Sequence, residues 1–150
     1  MNITSSKGLP IVLNYADIEV VEELMQLIIR QAEELDLEPV IKKLTGLSTD
    51  EILQLDIETF LPLLPLLQKI ICKLESSKEF KNIVYRLLSS CTYNGVCINK
   101  QLFNDKPELR EDYYMLEWEV IKFNIRPFLK NLLGRYIQVE TVEKNSSSLE

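Results

Sequence analysis

The chain has 150 residues and carries 17 Lys and Arg against 23 Asp and Glu, a net charge of −6. That length suits one domain with a sizeable core, while the acidic balance excludes general nucleic-acid binding, which needs a basic surface to displace counterions, and disfavours anionic membranes. Histidine is absent altogether, which removes the Ser-His and Cys-His hydrolases and most zinc and iron sites.

Only four glycines occur, and a glycine-poor, Leu/Ile/Glu/Lys-rich chain favours helices over barrels or sandwiches. The three cysteines, Cys72, Cys91 and Cys97, are odd in number. The opening MNITSSKGLPIVLNY has one basic residue and too short an apolar segment for a signal peptide. Reduced thiols and a cytoplasmic location are expected. No apolar run reaches the roughly 18 residues that a membrane span needs.

In chain order, Met1 to Ser6 read as loose. Leu9 to Leu13 (LPIVL) is β-prone and reads as a strand or a buried extended arm. Asn14 or Asp17 can cap the following helix, Tyr15 to Leu35, where Ile18, Val21, Leu24, Met25, Ile28, Ile29 and Ala32 recur at helical spacing. Its outer face carries Glu19, Glu22, Glu23, Arg30, Glu33 and Glu34. Such a face can receive a basic partner, though a solvated helix face is the simpler reading.

Val40 to Leu74 is the most apolar stretch. Gly46 suits the left-handed end of a short helix from about Pro39. Ser48 to Glu51 has the form of a capping box that starts another helix near Thr49. Asp56 is a second N-cap, with Glu58 favourably near the helix start. A proline well inside a helix costs about 3 kcal/mol, so either the next helix begins at Pro62 or it is kinked. After Pro65, Leu66, Leu67, Ile70, Ile71 and Leu74 form a buried helix, with Gln68, Lys69 and Lys73 on its wet side.

Ser77 can cap a helix from Lys78 that ends before Cys91 and presents Phe80, Ile83, Val84, Leu87 and Leu88 on one side. Next comes TYNGVCI. Asn94-Gly95 between β-prone residues is a hairpin signal, because a type I′ turn needs positive φ at both central positions. In that register Tyr93 faces Val96, Thr92 faces Cys97 and Cys91 faces Ile98. Cys91 and Cys97 are then diagonal, which argues against a disulfide. Asp105 is the expected cap of a helix with Pro107 in its first turn, continuing through Leu109, Tyr113, Leu116, Val120, Ile121 and Phe123. Pro127 should break or kink it near 123–126. Phe128, Leu129, Leu132 and Leu133 form a last short helix ended by Gly134. The predicted fold is mainly α: a compact multi-helix single domain over residues 1–137, with one small β-hairpin near 91–98 and a flexible tail over 138–150.

Asp112, Glu117 and Glu119 beside Tyr113 and Tyr114, and the pair Glu22 and Glu23, are candidates for acid-base chemistry, which requires burial to separate paired carboxylates. They read as exposed helix faces, and no phosphate loop, dinucleotide fingerprint, EF-hand or nucleophile elbow accompanies them. Two cysteines without further ligands make a poor zinc site. No catalytic, cofactor or metal residue is therefore predicted. Tyr113, Tyr114, Trp118, Phe123, Phe128 and Tyr136 can serve as a binding hot spot or as core. Phe123 and Phe128 read as core, and Trp118 stands evenly between the two. The candidate partner-binding residues are Leu61, Leu64, Leu67, Tyr114 and Trp118.

The stretch KKLTGLSTDEILQLDIETFLPLL resembles the tail assembly chaperones of long-tailed bacteriophages. These carry a segment of the form L-T-G-L-(S/P)-x-x-x-(L/I)-x-x-L-(D)-x-x-(D/E)-F-x-x-L. Leu44, Thr45, Gly46, Leu47, Ser48, Ile52, Leu55, Asp56, Phe60 and Leu63 fit it, and Thr59 stands where an acid is usual. EWEVIKFNIRPFL, from Glu117 to Leu129, is similar to a carboxy-terminal pattern of small phage morphogenesis proteins. The resemblance implies a non-enzymatic, cofactor-free, largely helical protein of the host cytoplasm that coats the tape-measure protein until tail-tube subunits replace it. It also implies self-association and, in related chains, a frameshifted extension. Composition alone fits another function equally, a small acidic helical inhibitor or adaptor encoded by a phage and acting on a host or defence protein. An enzyme working through carboxylates alone would instead require a deep pocket around Asp112, Glu117 or Glu119.

Overall fold

The structure is a computed structural model, and it describes residues 1–34 and 64–128. The caps expected at Gly46, Ser48 and Asp56, the choice at Pro62, the last helix to Gly134 and the tail over 138–150 lie outside the described residues. The chain divides into two compact units, Met1–Ile29 with Leu74–Ile125, and Arg30–Lys73 with Arg126–Glu150. The described elements are mainly helical, with one small antiparallel sheet.

In the first unit, β1 (Asn2–Thr4), β2 (Pro10–Val12), β3 (Thr92–Tyr93) and β4 (Val96–Cys97) form a sheet in the order β1-β2-β3-β4. LPIVL is thus a strand, and the hairpin has the expected register, Tyr93 against Val96 and Thr92 against Cys97. Asn94 and Gly95 have φ of 48° and 82°, as a type I′ turn requires. β2 joins this hairpin through Ile11 against Tyr93. Both side chains are buried, so this cross-strand pair carries the inner face of the sheet. Residues 1–6 are not loose: Ile3 pairs with Ile11, and the Met1 ammonium donates to the Leu13 carbonyl at 2.9 Å. A three-residue strand has little local signal, and pairing with a buried neighbour decides its conformation.

α1 (Ile18–Ala32) starts after Asp17, whose carbonyl accepts from the amides of Val20 and Val21. Asn14 does not cap it; its side chain donates instead to the Ser90 carbonyl. The buried stripe is Val20, Val21, Leu24, Met25, Leu27 and Ile28, while Ile18 and Ile29 are exposed. The stripe is therefore rotated from the expected one, because the helix buries the side that meets its neighbours. α2 (Leu64–Leu74) buries Leu67, Ile70, Ile71 and Leu74, as its spacing predicts. α3 (Lys78–Leu88) has the expected Ser77 cap, with the hydroxyl accepting from the Phe80 amide at 3.3 Å, and it buries all five predicted apolar residues.

After the hairpin the chain makes an unpredicted short helix, α4 (Lys100–Asp105), capped by Asn99 accepting from the Leu102 amide at 2.9 Å. Asp105 is not a cap: it ends this helix and accepts from Gln101. A 3-10 turn, Pro107–Asp112, follows Lys106. The last helix, α5, runs over residues 113–128 without the break expected near Pro127. One lost hydrogen bond and a ring clash cost about 3 kcal/mol, and burial of Ile121, Asn124 and Ile125 along the preceding turn opposes that loss. Phe123 is only half-buried and stacks on the exposed Tyr15 ring at 4.3 Å.

Candidate partner-binding surface

α5 positions most of the candidate residues. Its inner side is set by Leu116, Val120 and Ile121, each with no exposed surface. Burial of such side chains stabilises by roughly 1.5–3 kcal/mol each, which fixes the rotation of the helix about its axis. Tyr114, Trp118 and Lys122 then fall at i, i+4 and i+8 on one stripe away from that core. Tyr114 is 71% exposed. Trp118 and Lys122 are half-buried, with the Lys122 ammonium 5.3 Å from the Trp118 ring centre. A cation over an indole face is attracted by the ring quadrupole. Glu119 accepts from Lys122 at 2.9 Å and holds the ammonium in place.

Beneath Tyr114 lies an aromatic cluster. Tyr114 meets Tyr113 edge-on at 5.3 Å, and Tyr113 meets Phe103 edge-on at 5.3 Å. Tyr85 of α3 closes the group at 6.2 Å from Tyr113. The edge-on contacts match the ring quadrupoles and seat the exposed Tyr114 ring against Tyr113. Burial, and then the nearby Glu117 carboxylate, push the Tyr113 phenol well above its ordinary range, so it stays neutral.

The carboxylates differ from expectation. Glu119 is half-exposed, but Asp112 and Glu117 are 4% and 2% exposed. Acidic residues read as a solvated face unless a partner is known, and the sequence shows no sign that Ser6 is the partner of Asp112. Asp112 accepts from the Ser6 amide and hydroxyl, both at 3.1 Å. Both Glu117 oxygens lack a hydrogen-bond partner among the described residues. Asp112 is thus engaged, whereas Glu117 is buried without a hydrogen-bond partner among the described residues. Among the described residues no group of three potential ligands is placed to hold a metal ion.

Of the other candidates, Leu67 is buried in α2. Leu61 lies outside the described residues, as does the side chain of Leu64. The structure thus brings Tyr114 and Trp118 together on one face. Lys122, which completes that stripe, was missed, although its spacing from Trp118 was the available signal. Cys91 is buried and its thiol donates to the carbonyls of Asn14 and Leu87 at 3.9 and 3.8 Å. Burial pushes this thiol up, so it is an unreactive packing residue.

Among the described residues no helix is long and apolar enough to cross a membrane. Tyr114, Trp118 and Lys122 thus give this helical framework one aromatic-cationic face. A family model described as "Phage tail assembly chaperone protein, TAC" matches residues 18–135, from the first residue of α1 to beyond α5. The chain belongs to this phage tail assembly chaperone family. No curated protein and no solved structure matches it.

Proposed function

We propose that this chain acts, without enzymatic chemistry, by binding the tape-measure protein during tail assembly in the host cytoplasm, and that the α5 face of Tyr114 and Trp118 is part of the contact. Membership of the chaperone family supports the process, and the exposed Tyr114 ring beside Trp118 is the observation that supports the surface. A large ring resting on a neighbouring one, as Tyr114 does on Tyr113, contributes contact area with only two side-chain torsions to fix. A tape-measure protein is a long helical client, and a helix can lay an apolar stripe against such a ridge. Lys122 and Glu119 at its edge give a polar rim that favours register over bulk affinity.

The test is co-expression of the tagged chain with the tape-measure protein of the same phage, followed by co-purification and light scattering. The expected result is a complex with several copies of this chain per client. Tyr114→Ala with Trp118→Ala should lower the affinity at least tenfold while the circular dichroism spectrum is kept. Capture of the client by the double variant at full affinity would move the contact elsewhere. Failure of the intact chain to bind would sink the client assignment, and a single host enzyme at fixed stoichiometry would favour an inhibitor or adaptor.

A further inference from the structure

Tyr15 is 62% exposed, yet the chain on both sides of it is tied down. The Asn14 side chain donates to the Ser90 carbonyl, just past α3, at 3.0 Å. The Ala16 amide donates to the Asn124 side chain of α5 at 2.9 Å. Between them the Tyr15 ring lies flat on Phe123, with ring centres 4.3 Å and planes 11° apart. Phe123 thus covers one face of the ring and leaves the other open. Three residues on, Ile18 opens α1 and is 57% exposed. Single exposed apolar side chains are ordinary. Here a large ring and a branched side chain stand at the same end of one helix, on a segment whose backbone needs no further ordering.

The charge around them has one sign. Between Lys7 and Arg30 the chain has four acids, Asp17, Glu19, Glu22 and Glu23, and no base. Glu23 is taken by Arg86. Asp17, Glu19 and Glu22 are exposed and pair with no cation among the described residues. On the α5 side, Glu119 holds Lys122 at 2.9 Å, which leaves the exposed Arg126, one turn past Phe123, as the next cation along that helix. The helix dipole accounts for acids beside the first turn, Asp17 and Glu19. It does not account for Glu22 in the second turn, nor for the exposed Tyr15 and Ile18.

We propose that this end of α1 is a second docking site, separate from the face of Tyr114 and Trp118, and that its occupant is a basic amphipathic helix of a protein partner. Ile18 and Glu22 lie one turn apart on α1, and a helix laid beside them offers apolar and basic side chains at the same spacing. An apolar residue of the partner rests on Ile18. A Lys or Arg stacks on the open face of Tyr15, and its neighbours meet Asp17, Glu19 and Glu22. Complementary charge of this kind selects a basic partner and speeds its encounter, while the pinned segment keeps the cost of ordering small.

The test titrates the full chain with a synthetic amphipathic helical peptide of Leu and Lys, by calorimetry and by amide-shift mapping. The same peptide with Glu in place of Lys is the control. The Lys peptide should bind, shift the amides from Tyr15 to Glu22, and weaken by about tenfold or more between about 0.05 and 0.5 M salt. Tyr15→Ala with Ile18→Ser should lower its affinity by about tenfold or more, with the circular dichroism spectrum kept, because the Ala16 amide retains its bond to Asn124. Should that variant unfold, Asp17→Asn with Glu22→Gln, both exposed, gives the same reading through a severalfold loss and a flatter salt dependence. Tyr114→Ala with Trp118→Ala should leave the affinity within about twofold, which separates this site from the tape-measure contact. Equal binding of the Glu peptide, no binding of the Lys peptide, shifts confined to Tyr114 and Trp118, or full affinity in the Tyr15 and Ile18 variant would each overturn the proposal. A dimer of the free chain that the same variant breaks would give this face to a second copy and overturn it too.

Discussion

The Asn124 side-chain carbonyl accepts from the Ala16 amide at 2.9 Å, while its own amide donates to the Val120 carbonyl at 2.8 Å. Asn124 has no exposed surface. One buried residue of α5 thus pairs a backbone amide of the chain just before α1. Asn124→Ala removes the acceptor and leaves the Ala16 amide unpaired, at about 1–3 kcal/mol. Urea unfolding should show a lower midpoint with an unchanged slope, since the surface exposed on unfolding is nearly the same.

Asp112 does for the first strand pair what Asn124 does for α1. Its carboxylate takes both the amide and the hydroxyl of Ser6, in the turn between β1 and β2. Bonds to a charged group are worth about 1.5–3 kcal/mol. Ser6→Ala removes one of them and leaves the amide contact, so it should destabilise by about half as much as Asp112→Ala. In a double-mutant cycle the two losses should be strongly non-additive, because they share a partner. The nearby Lys7 and Glu111, 3.7 Å apart and more than half exposed, should contribute almost nothing.

These two residues also mark where the sequence could be read and where it could not. The Asn94-Gly95 turn, the Ser77 cap and the buried stripe of α3 were legible, because each depends on residues within one turn of chain. β1 was not, since its only cause is Ile11 some eight positions on. The Asn99 cap before Leu102 carried a local signal that went unread, masked by the stronger-looking Asp105 and Pro107. Asp112 and Asn124 are buried polar residues whose partners, Ser6 and Ala16, lie far away in the chain, and Glu117 is buried with no partner among the described residues. Polarity alone therefore predicts the wrong side of the helix. Of the candidate site, Tyr114 and Trp118 were legible as aromatics, but only the rotation of α5 about its buried side shows that they share a face.

Gly95 tests the hairpin with little interference from packing. Its φ is +82°, and nothing lies within 4 Å of the place a Cβ would occupy. Gly95→Ala therefore costs only the left-handed conformation, about 1–2 kcal/mol, with no steric clash to add. Asn94→Gly keeps positive φ accessible and should change stability by a few tenths of a kcal/mol at most. A thermal-melt series in which both substitutions cost the same would contradict the type I′ turn.

Tyr93 gives the opposite sign. Its ring is 1% exposed and pairs with Ile11 across the sheet, yet its hydroxyl has no hydrogen-bond partner among the described residues. A buried hydroxyl without a partner forgoes the bonds it makes with water in the unfolded chain, a loss of about 1–3 kcal/mol. Tyr93→Phe keeps the ring and its cross-strand contact and deletes only that group. The variant should unfold at equal or higher urea than the parent, whereas Tyr93→Ala, which empties the ring's place in the core, should lose about 3–5 kcal/mol. A clear loss of stability in Tyr93→Phe would mean that the hydroxyl is bonded in solution, most simply by a buried water.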